Sequence, residues 1–172
     1  MKFKHTLVLA TLALMLMGCQ NHSNQQMIEI KETLPDVSIR DMNRDLQSVK
    51  ELVGQHRLTI IDFWASWCGP CVDEMPKMKA IFDKYQKQDL NMIGISLDSN
   101  FESWQSTVDG MKLNWTHLSE LRKWDDTMAR TLGIQAIPHT MIVDKQGNIL
   151  SRGLRGDELE KKVAELLNST EK

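Results

Sequence analysis

Residues 58–71 read Leu58-Thr59-Ile60-Ile61-Asp62-Phe63-Trp64-Ala65-Ser66-Trp67-Cys68-Gly69-Pro70-Cys71, an apolar run followed almost directly by two cysteines. The run at residues 58–64 is nearly all apolar or β-branched, which is typical of a central strand covered on both faces. From about residue 70 to residue 88, apolar side chains recur at helical spacing. The pattern therefore predicts a strand, a turn and a helix, with the cysteine pair at the start of the helix.

The cysteine pair predicts redox chemistry. Two cysteines three residues apart at a helix start lie one turn apart, which is close enough for a disulfide. The unpaired N–H groups and the helix dipole at that end favour the thiolate form of Cys68. We therefore expect Cys68 to be the nucleophile and Cys71 to be the resolving thiol of a pair that cycles between dithiol and disulfide.

A zinc site is an alternative for a C-x-x-C pair, because half of such a site has the same spacing. The only other cysteine is Cys19, and none of the five histidines forms an H-x(3–5)-H pair. The sequence therefore predicts no metal site, and no cofactor beyond the redox-active disulfide itself.

The following segments alternate between strand and helix patterns. Residues 91–97 predict a second strand, parallel to the first across a right-handed crossover. Residues 140–144 and 149–151 predict a hairpin whose turn uses Gly147 and Asn148. Residues 156–168 predict an amphipathic helix that covers one face of the sheet. Alternation of this kind predicts a layered α/β domain.

Two segments resemble thioredoxins. Asp62-Phe63-Trp64-Ala65-x-Trp67-Cys68-Gly69-Pro70-Cys71 is similar to their active-site segment, and Ile137-Pro138 is similar to their cis-proline site. The resemblance implies a thioredoxin fold, with a central mixed β-sheet and helices on both faces. Residues 34–41 and 46–52 resemble the opening hairpin and short helix of the TlpA/ResA branch of exported thioredoxins. Residues 98–137 match that branch in length and helix pattern, which implies a helical insertion before the cis-proline.

The resemblance also implies two acids beside the cysteines. Asp62 matches the buried acid of thioredoxins, which relays a proton to or from the resolving thiol. The alternative is an aspartate that only caps a nearby backbone N–H. Glu74 matches the acid of the C-x-x-C-x-x-E arrangement of the TlpA/ResA branch and lies on the same helix face as Cys71. A solvent-facing glutamate is the alternative there.

The same resemblance implies a surface for substrate. A cis bond before Pro138 would expose the backbone of Ile137 to an extended substrate segment. Trp67 is expected to form part of an apolar docking rim, next to Gly69 and Pro70. Pro76 is expected to kink the helix. Packing or ordinary strand positions are expected for Trp64, Trp104, Trp115, Trp124 and His139.

The N-terminus predicts export. Lys2 and Lys4 precede an apolar stretch at residues 7–17, which is too short to span a membrane. Gly18-Cys19 then resembles the lipobox of bacterial lipoproteins. This organisation implies a lipoprotein-type signal peptide at 1–18, a lipidated Cys19 with a flexible tether at 19–33, and a thioredoxin-like domain at 34–172. An ordinary secretory signal or an uncleaved anchor remains the alternative. We expect an extracytoplasmic, periplasm-facing membrane lipoprotein, in the inner or the outer membrane.

Charge excludes some partners. The formal net charge is −2, and loss of Lys2 and Lys4 with the signal would bring it to about −4, without any basic cluster. Binding to nucleic acid, or to anionic lipid through charge, is therefore not expected.

The predicted function is an extracytoplasmic thiol:disulfide oxidoreductase. The Gly69-Pro70 dipeptide resembles that of reducing thioredoxins, which favours reduction of disulfides in exported proteins. No nucleotide motif such as G-x-G-x-x-G is present, so a membrane thiol electron donor is expected. Two alternatives stay open. One is a peroxiredoxin-like thiol peroxidase, although Ala65 stands where those enzymes carry threonine. The other is a non-enzymatic lipoprotein that binds polypeptide around Pro138.

Overall fold

The computed structural model of the protein describes residues 32–169, so the predicted signal peptide, Cys19 and the tether up to residue 31 lie outside the described residues. The strands are β1 (Ser38–Arg40), β2 (Leu46–Ser48), β3 (Leu58–Trp64), β4 (Leu90–Ser96), β5 (Thr116–Leu118), β6 (His139–Asp144) and β7 (Ile149–Arg152). The α-helices are α1 (Val49–Gly54), α2 (Gly69–Tyr85), α3 (Phe101–Met111), α4 (Thr127–Thr131) and α5 (Gly156–Asn168). Two 3-10 turns lie at Gln86–Gln88 and Lys123–Asp125.

The central sheet has five strands in the order β5-β4-β3-β6-β7. β3, β4 and β5 run parallel, whereas β6 and β7 are antiparallel to their neighbours. All seven residues of β3 are buried, as expected for a strand covered on both faces. β1 and β2 form a separate antiparallel pair. The predicted mixed sheet and N-terminal hairpin are confirmed.

Helices cover both faces of this sheet. Ile60 of β3 shares a core cluster with side chains of α2 and α5, among them Met78, Ile81, Leu159 and Val163. Ile61 and Phe63 belong to a second cluster, with Val49 and Val53 of α1 and Trp104 and Val108 of α3. Adjacent residues of a strand point to opposite faces, so the two clusters reach β3 from opposite sides.

The segment before the cis-proline contains more than helices. β5 lies within residues 98–137 and pairs in parallel with β4, which adds an edge strand to the sheet. β5 is not predicted from the sequence, because three residues are too few to display a strand period. The predicted strand at 91–97 is found one residue earlier, and Leu97 still donates its N–H to the Trp64 oxygen at 2.8 Å.

The last helix has the predicted bounds, and α2 continues through Pro76 to Tyr85, followed by a 3-10 turn up to Gln88. Within residues 32–169, no helix combines the length and apolar character that a membrane crossing requires.

Candidate active site

A tight turn carries the chain from β3 into the cysteine pair. The N–H of Cys68 donates to the oxygen of Ala65 at 3.1 Å, which closes a turn over residues 65–68. Cys68 is the N-cap residue of α2, and its Sγ accepts a hydrogen bond from the N–H of Cys71 at 3.3 Å. Pro70 lies in the first turn of the helix, where its missing N–H leaves no helical bond unmade. The predicted position of the pair at a helix start is confirmed.

Cys68 and Cys71 form a disulfide, with a Cα–Cα distance of 5.2 Å. Cys71 is wholly buried, whereas Cys68 is 7% exposed. Trp67 is 52% exposed, and Gly69 and Pro70 are also exposed. Of the two cysteines, only Cys68 can therefore be reached from solvent, which is the asymmetry expected of a nucleophile and a resolving thiol.

Pro138 lies next to this surface. Its peptide bond with Ile137 is cis, as predicted. β6 begins at His139, which pairs with Phe63 near the end of β3, so Pro138 lies beside the segment that leads to Cys68. Ile137 and Pro138 are half-buried. The structure thus brings together the five residues predicted to bind substrate, and their role in binding stays a prediction.

Asp62 lies beneath the start of α2. It is two residues after Ile60 on β3 and so points to the sheet face that α2 and α5 cover. Asp62 is 3% exposed, and its burial, together with the negative charge of Glu74, raises its pKa from 3.8 to about 7. A carboxyl group with this pKa gains and loses a proton near neutral pH, which suits a proton relay. That role stays a prediction.

Glu74 lies one turn after Cys71 and is half-buried. Its Oε1 accepts a hydrogen bond from the N–H of Gly156 at 2.7 Å. Gly156 is the first residue of α5 and adopts φ +54°, in the left-handed region that favours glycine. Glu74 therefore joins the first turns of α2 to the N-terminus of α5, where a negative group is stabilised. It is not simply solvent-facing, and a part in proton transfer stays a prediction.

The aromatic residues have the expected packing positions in most cases. Trp64 and Trp104 are buried, and Trp115 packs edge-on against Phe82, whereas Trp124 is 42% exposed. His139 lies within β6 with its ring against Phe63, and burial lowers its pKa, with Arg152 acting in the same direction.

His117 was not singled out by the sequence analysis. Its ring lies between Trp64, at 5.9 Å, and Trp115, at 5.3 Å. A Cβ on Gly94 would lie 2.8 Å from His117 Nδ1, so the glycine makes room for this ring. Burial lowers the pKa of His117 to about 4, and the side chain is therefore neutral at neutral pH.

Asp98 was also missed. It follows β4 by two residues, is 1% exposed, and hydrogen bonds to Ser66 in the turn before Cys68. The predicted parallel strands place the residues that follow them at one end of the sheet, but the contact between Asp98 and Ser66 depends on the register of β3 and β4, which the sequence pattern does not specify. Within the described part of the chain, no group of three or more His, Cys, Asp or Glu side chains could hold a metal ion.

A family model described as thioredoxin-like matches residues 55–149. The chain belongs to the thioredoxin-like family. The matched region of this thioredoxin-like protein contains β3, both cysteines, Asp62, Glu74 and the cis-proline.

Several proteins similar to this thioredoxin-like protein are described as thiol-disulfide oxidoreductases. The thiol-disulfide oxidoreductase ResA of Bacillus cereus is 22% identical over 145 residues, which cover 84% of this chain and 80% of that protein. The ResA protein of Geobacillus thermodenitrificans is 24% identical and covers 87% of each chain. A solved structure of a thiol-disulfide oxidoreductase from Bacteroides fragilis matches with a TM-score of 0.72 and 26% identity, over 78% of this chain and 99% of that chain. The predicted TlpA/ResA resemblance and the predicted class, a thiol:disulfide oxidoreductase, are confirmed.

Proposed function

We propose that this thioredoxin-like protein reduces disulfides of exported polypeptides through Cys68 and Cys71, outside the cytoplasm. The observation that carries the proposal is the unequal burial of the two cysteines at the start of α2, because Cys71 is wholly enclosed whereas Cys68 keeps 7% of its surface exposed. An enclosed second thiol can attack only the sulfur beside it, which is the task of a resolving cysteine.

The exchange has two steps. In the first, the Cys68 thiolate attacks one sulfur of a substrate disulfide and forms a mixed disulfide, and the other substrate sulfur leaves as a thiolate that takes up a proton. In the second, the Cys71 thiolate attacks Cys68 Sγ, which forms the Cys68–Cys71 disulfide and releases the remaining substrate thiol. Two electrons and two protons thus pass from the protein to the substrate.

The second step requires that Cys71 lose its proton in a buried site. Asp62 is suited to accept it, because its pKa of about 7 leaves a substantial ionised fraction at neutral pH. Glu74 acts on this proton transfer indirectly, because its negative charge is one cause of the raised pKa of Asp62. In the reverse direction, protonated Asp62 would return the proton to Cys71.

Substrate would bind across the surface around Cys68. The exposed Trp67 offers an apolar contact, and the exposed backbone at Gly69 and Pro70 leaves space for an extended segment. The backbone of Ile137, held by the cis-proline, would pair with that segment as a short added strand.

The proposed location rests on residues 1–33. The predicted export signal and a lipidated Cys19 would hold the domain at the outer side of a membrane, close to a membrane thiol donor. In that compartment disulfides persist, so a reductant has substrates there. A peroxidase is not favoured, because the wholly buried Ala65 carries no hydroxyl where peroxiredoxins carry threonine.

The reduction potential of the Cys68–Cys71 couple tests the direction of transfer. The full-length protein in detergent would be equilibrated with defined thiol/disulfide buffers, and the fraction of dithiol would be counted by alkylation. A value near or below the thioredoxin scale of about −270 mV supports a reductant, and a value near about −120 mV makes the protein an oxidant. The absence of a reversible couple would leave only polypeptide binding.

A further inference from the structure

The register of two strands brings a buried carboxylate to the active-site turn. β3 and β4 are parallel neighbours in which Trp64 pairs with Ser96. Ser66 follows the first of these residues by two positions, and Asp98 follows the second by two positions. The loops that leave the two strands therefore begin side by side, at the edge of the sheet where Cys68 lies.

Asp98 uses both carboxylate oxygens in this place. Its Oδ2 accepts hydrogen bonds from the N–H of Ser66 at 3.0 Å and from the hydroxyl of Ser96 at 2.7 Å. Its Oδ1 accepts a hydrogen bond from the hydroxyl of Ser66 at 2.6 Å. Three donors thus converge on a residue that is 1% exposed, and such convergence offsets the cost of burying a carboxylate.

Two of the three donors belong to the turn that presents the nucleophile. Ser66 and Trp67 are the central residues of the turn that Ala65 and Cys68 close at 3.1 Å. Because Asp98 binds both the N–H and the hydroxyl of Ser66, the turn has little conformational freedom. This turn sets the direction of the chain at Cys68. The hydrogen bond between Cys68 Sγ and the N–H of Cys71 depends on that direction.

We propose that Asp98 is a positioning residue, which holds the turn at residues 65–68 so that the sulfur of Cys68 stays at the N-terminus of α2. The inference rests on the proposed function, since it assigns Asp98 a part in thiol-disulfide exchange. Asp98 acts through Ser66, and the chemistry remains that of Cys68. In the reduced protein the helix N-terminus stabilises the Cys68 thiolate only while the sulfur remains within reach of its N–H groups.

The test compares Asp98→Ala with Asp98→Asn in full-length protein in detergent. Alanine removes both carboxylate oxygens that accept hydrogen bonds from Ser66. Asparagine keeps the size and one acceptor oxygen, and its amide can donate to the Ser66 hydroxyl, so the turn stays in place without the charge. The reduced proteins are alkylated with iodoacetamide between pH 5 and 9, and mass spectrometry identifies the product at Cys68. We expect the rate at pH 7 to fall by about threefold to tenfold in Asp98→Ala and to be restored in Asp98→Asn.

Asp126→Ala is the matched control. Asp126 is also 1% exposed and also caps a backbone N–H, that of Ala129 in α4 at 2.8 Å. We expect this variant to lose stability without a change in the alkylation profile. Equal profiles for Asp98→Ala and Asp126→Ala would overturn the proposal. Faster alkylation in both Asp98 variants would also overturn it, because loss of a negative charge would then outweigh loss of position.

A milder variant covers the case in which Asp98→Ala does not fold. Ser66→Ala removes one hydroxyl from a half-buried residue and keeps the N–H bond to Asp98. We expect a smaller fall in the alkylation rate, in the same direction, and an unchanged rate would count against the proposal. The alkylation profile needs no reversible couple, so a wild-type protein that lacks one contradicts the proposed function and leaves this test intact.

Discussion

The helices α2 and α5 both begin at a glycine, but their N-termini are capped in different ways. α2 is capped by its own preceding residue, since Cys68 Sγ accepts the N–H of Cys71 at 3.3 Å. Arg155 precedes α5 and makes no side-chain cap, and the first N–H of α5 donates instead to Glu74 of α2 at 2.7 Å. The N-terminus of α2 thus donates to the sulfur of Cys68, whose covalent partner changes in each redox cycle. The N-terminus of α5 donates to the carboxylate of Glu74, which links α5 to α2.

Cys68→Ser tests the α2 terminus and has the largest expected effect. Serine keeps an N-cap oxygen, so the fold should remain, whereas disulfide reduction should fall to the uncatalysed rate because the nucleophile is lost. Reduction of a model protein disulfide by a stoichiometric amount of the fully reduced protein, wild type or variant, measures this. Cys71→Ser is the matched variant, and it should accumulate the mixed disulfide with substrate, which non-reducing gels detect. Substantial activity in Cys68→Ser would refute the assignment of the nucleophile.

Asp62→Asn tests the buried acid beneath α2, which caps neither α2 nor α5. Loss of the proton acceptor should slow release of the mixed disulfide by about a hundredfold at neutral pH, in the range of general acid-base catalysis. The step should also lose its inflection near pH 7. Stopped-flow fluorescence of the mixed disulfide between pH 5 and 9 measures both. An inflection that persists in Asp62→Asn would belong to another group.

The same variant has a stability consequence of known sign. Because the pKa of Asp62 is raised from 3.8 to about 7, the folded protein binds this proton more tightly than the unfolded chain. The contribution of Asp62 to the free energy of unfolding therefore falls as pH rises from about 4 to 7, and is level above that range. Asp62→Asn should be more stable than wild type at pH 8, by about 2–4 kcal/mol. Urea unfolding at several pH values measures the difference between the two curves.

Wild type and Asp62→Asn must be compared at each pH, because other buried groups also titrate between about pH 4 and 7. Burial raises the pKa of Asp126 to about 6, which adds a slope of the same sign. Burial lowers the pKa of His117 to about 4, so its contribution rises with pH between about 4 and 6.5. Both are common to wild type and Asp62→Asn, and both cancel in the comparison.

Glu74→Ala and Glu74→Gln test the α5 terminus. Alanine leaves the N–H of Gly156 without its acceptor and should cost about 1 kcal/mol of stability, whereas glutamine keeps the oxygen and most of the stability. Both substitutions remove the charge near Asp62, so both should lower the pKa of Asp62 and move the activity inflection to lower pH. Equal stability of the two variants would show that the cap on α5 is unimportant.

Glu160→Gln has the smallest expected effect. Lys77 and Lys84 of α2 lie 2.7 and 2.8 Å from the carboxylate of Glu160 on α5, and their hydrogen bonds lower its pKa to about 2. Its contribution is present above about pH 4.5 and is lost as pH falls towards 2. Because the lysines are partly exposed, the change in the urea midpoint should be small and should shrink further in high salt. A large change would mean that these ion pairs add more than the Glu74 hydrogen bond does to the apolar contacts between α2 and α5.

The two helix caps also differ in how well they could be predicted from the sequence. The cap on α2 is local, and residues 58–71 carry every signal for it. The bounds of α5 follow from an equally local pattern, whereas the cis bond before Pro138 was implied by the resemblance of Ile137-Pro138 to the thioredoxin site. The cap on α5 joins residues that are far apart in the chain, so Glu74 could be placed on the face of Cys71 while its partner Gly156 could not be foreseen. The same holds for Asp98, whose contact with Ser66 exists only once β3 and β4 are paired in register.

Because Trp64 pairs with Ser96, the contact between Asp98 and Ser66 depends on the lengths of β3 and β4. One residue added to or deleted from β4 would displace the end of that strand by about 3.3 Å relative to β3 and turn the following side chains to the opposite face. The carboxylate of Asp98 would then miss the N–H of Ser66 altogether. Insertions and deletions within the two parallel strands are therefore expected to break this contact and to be selected against.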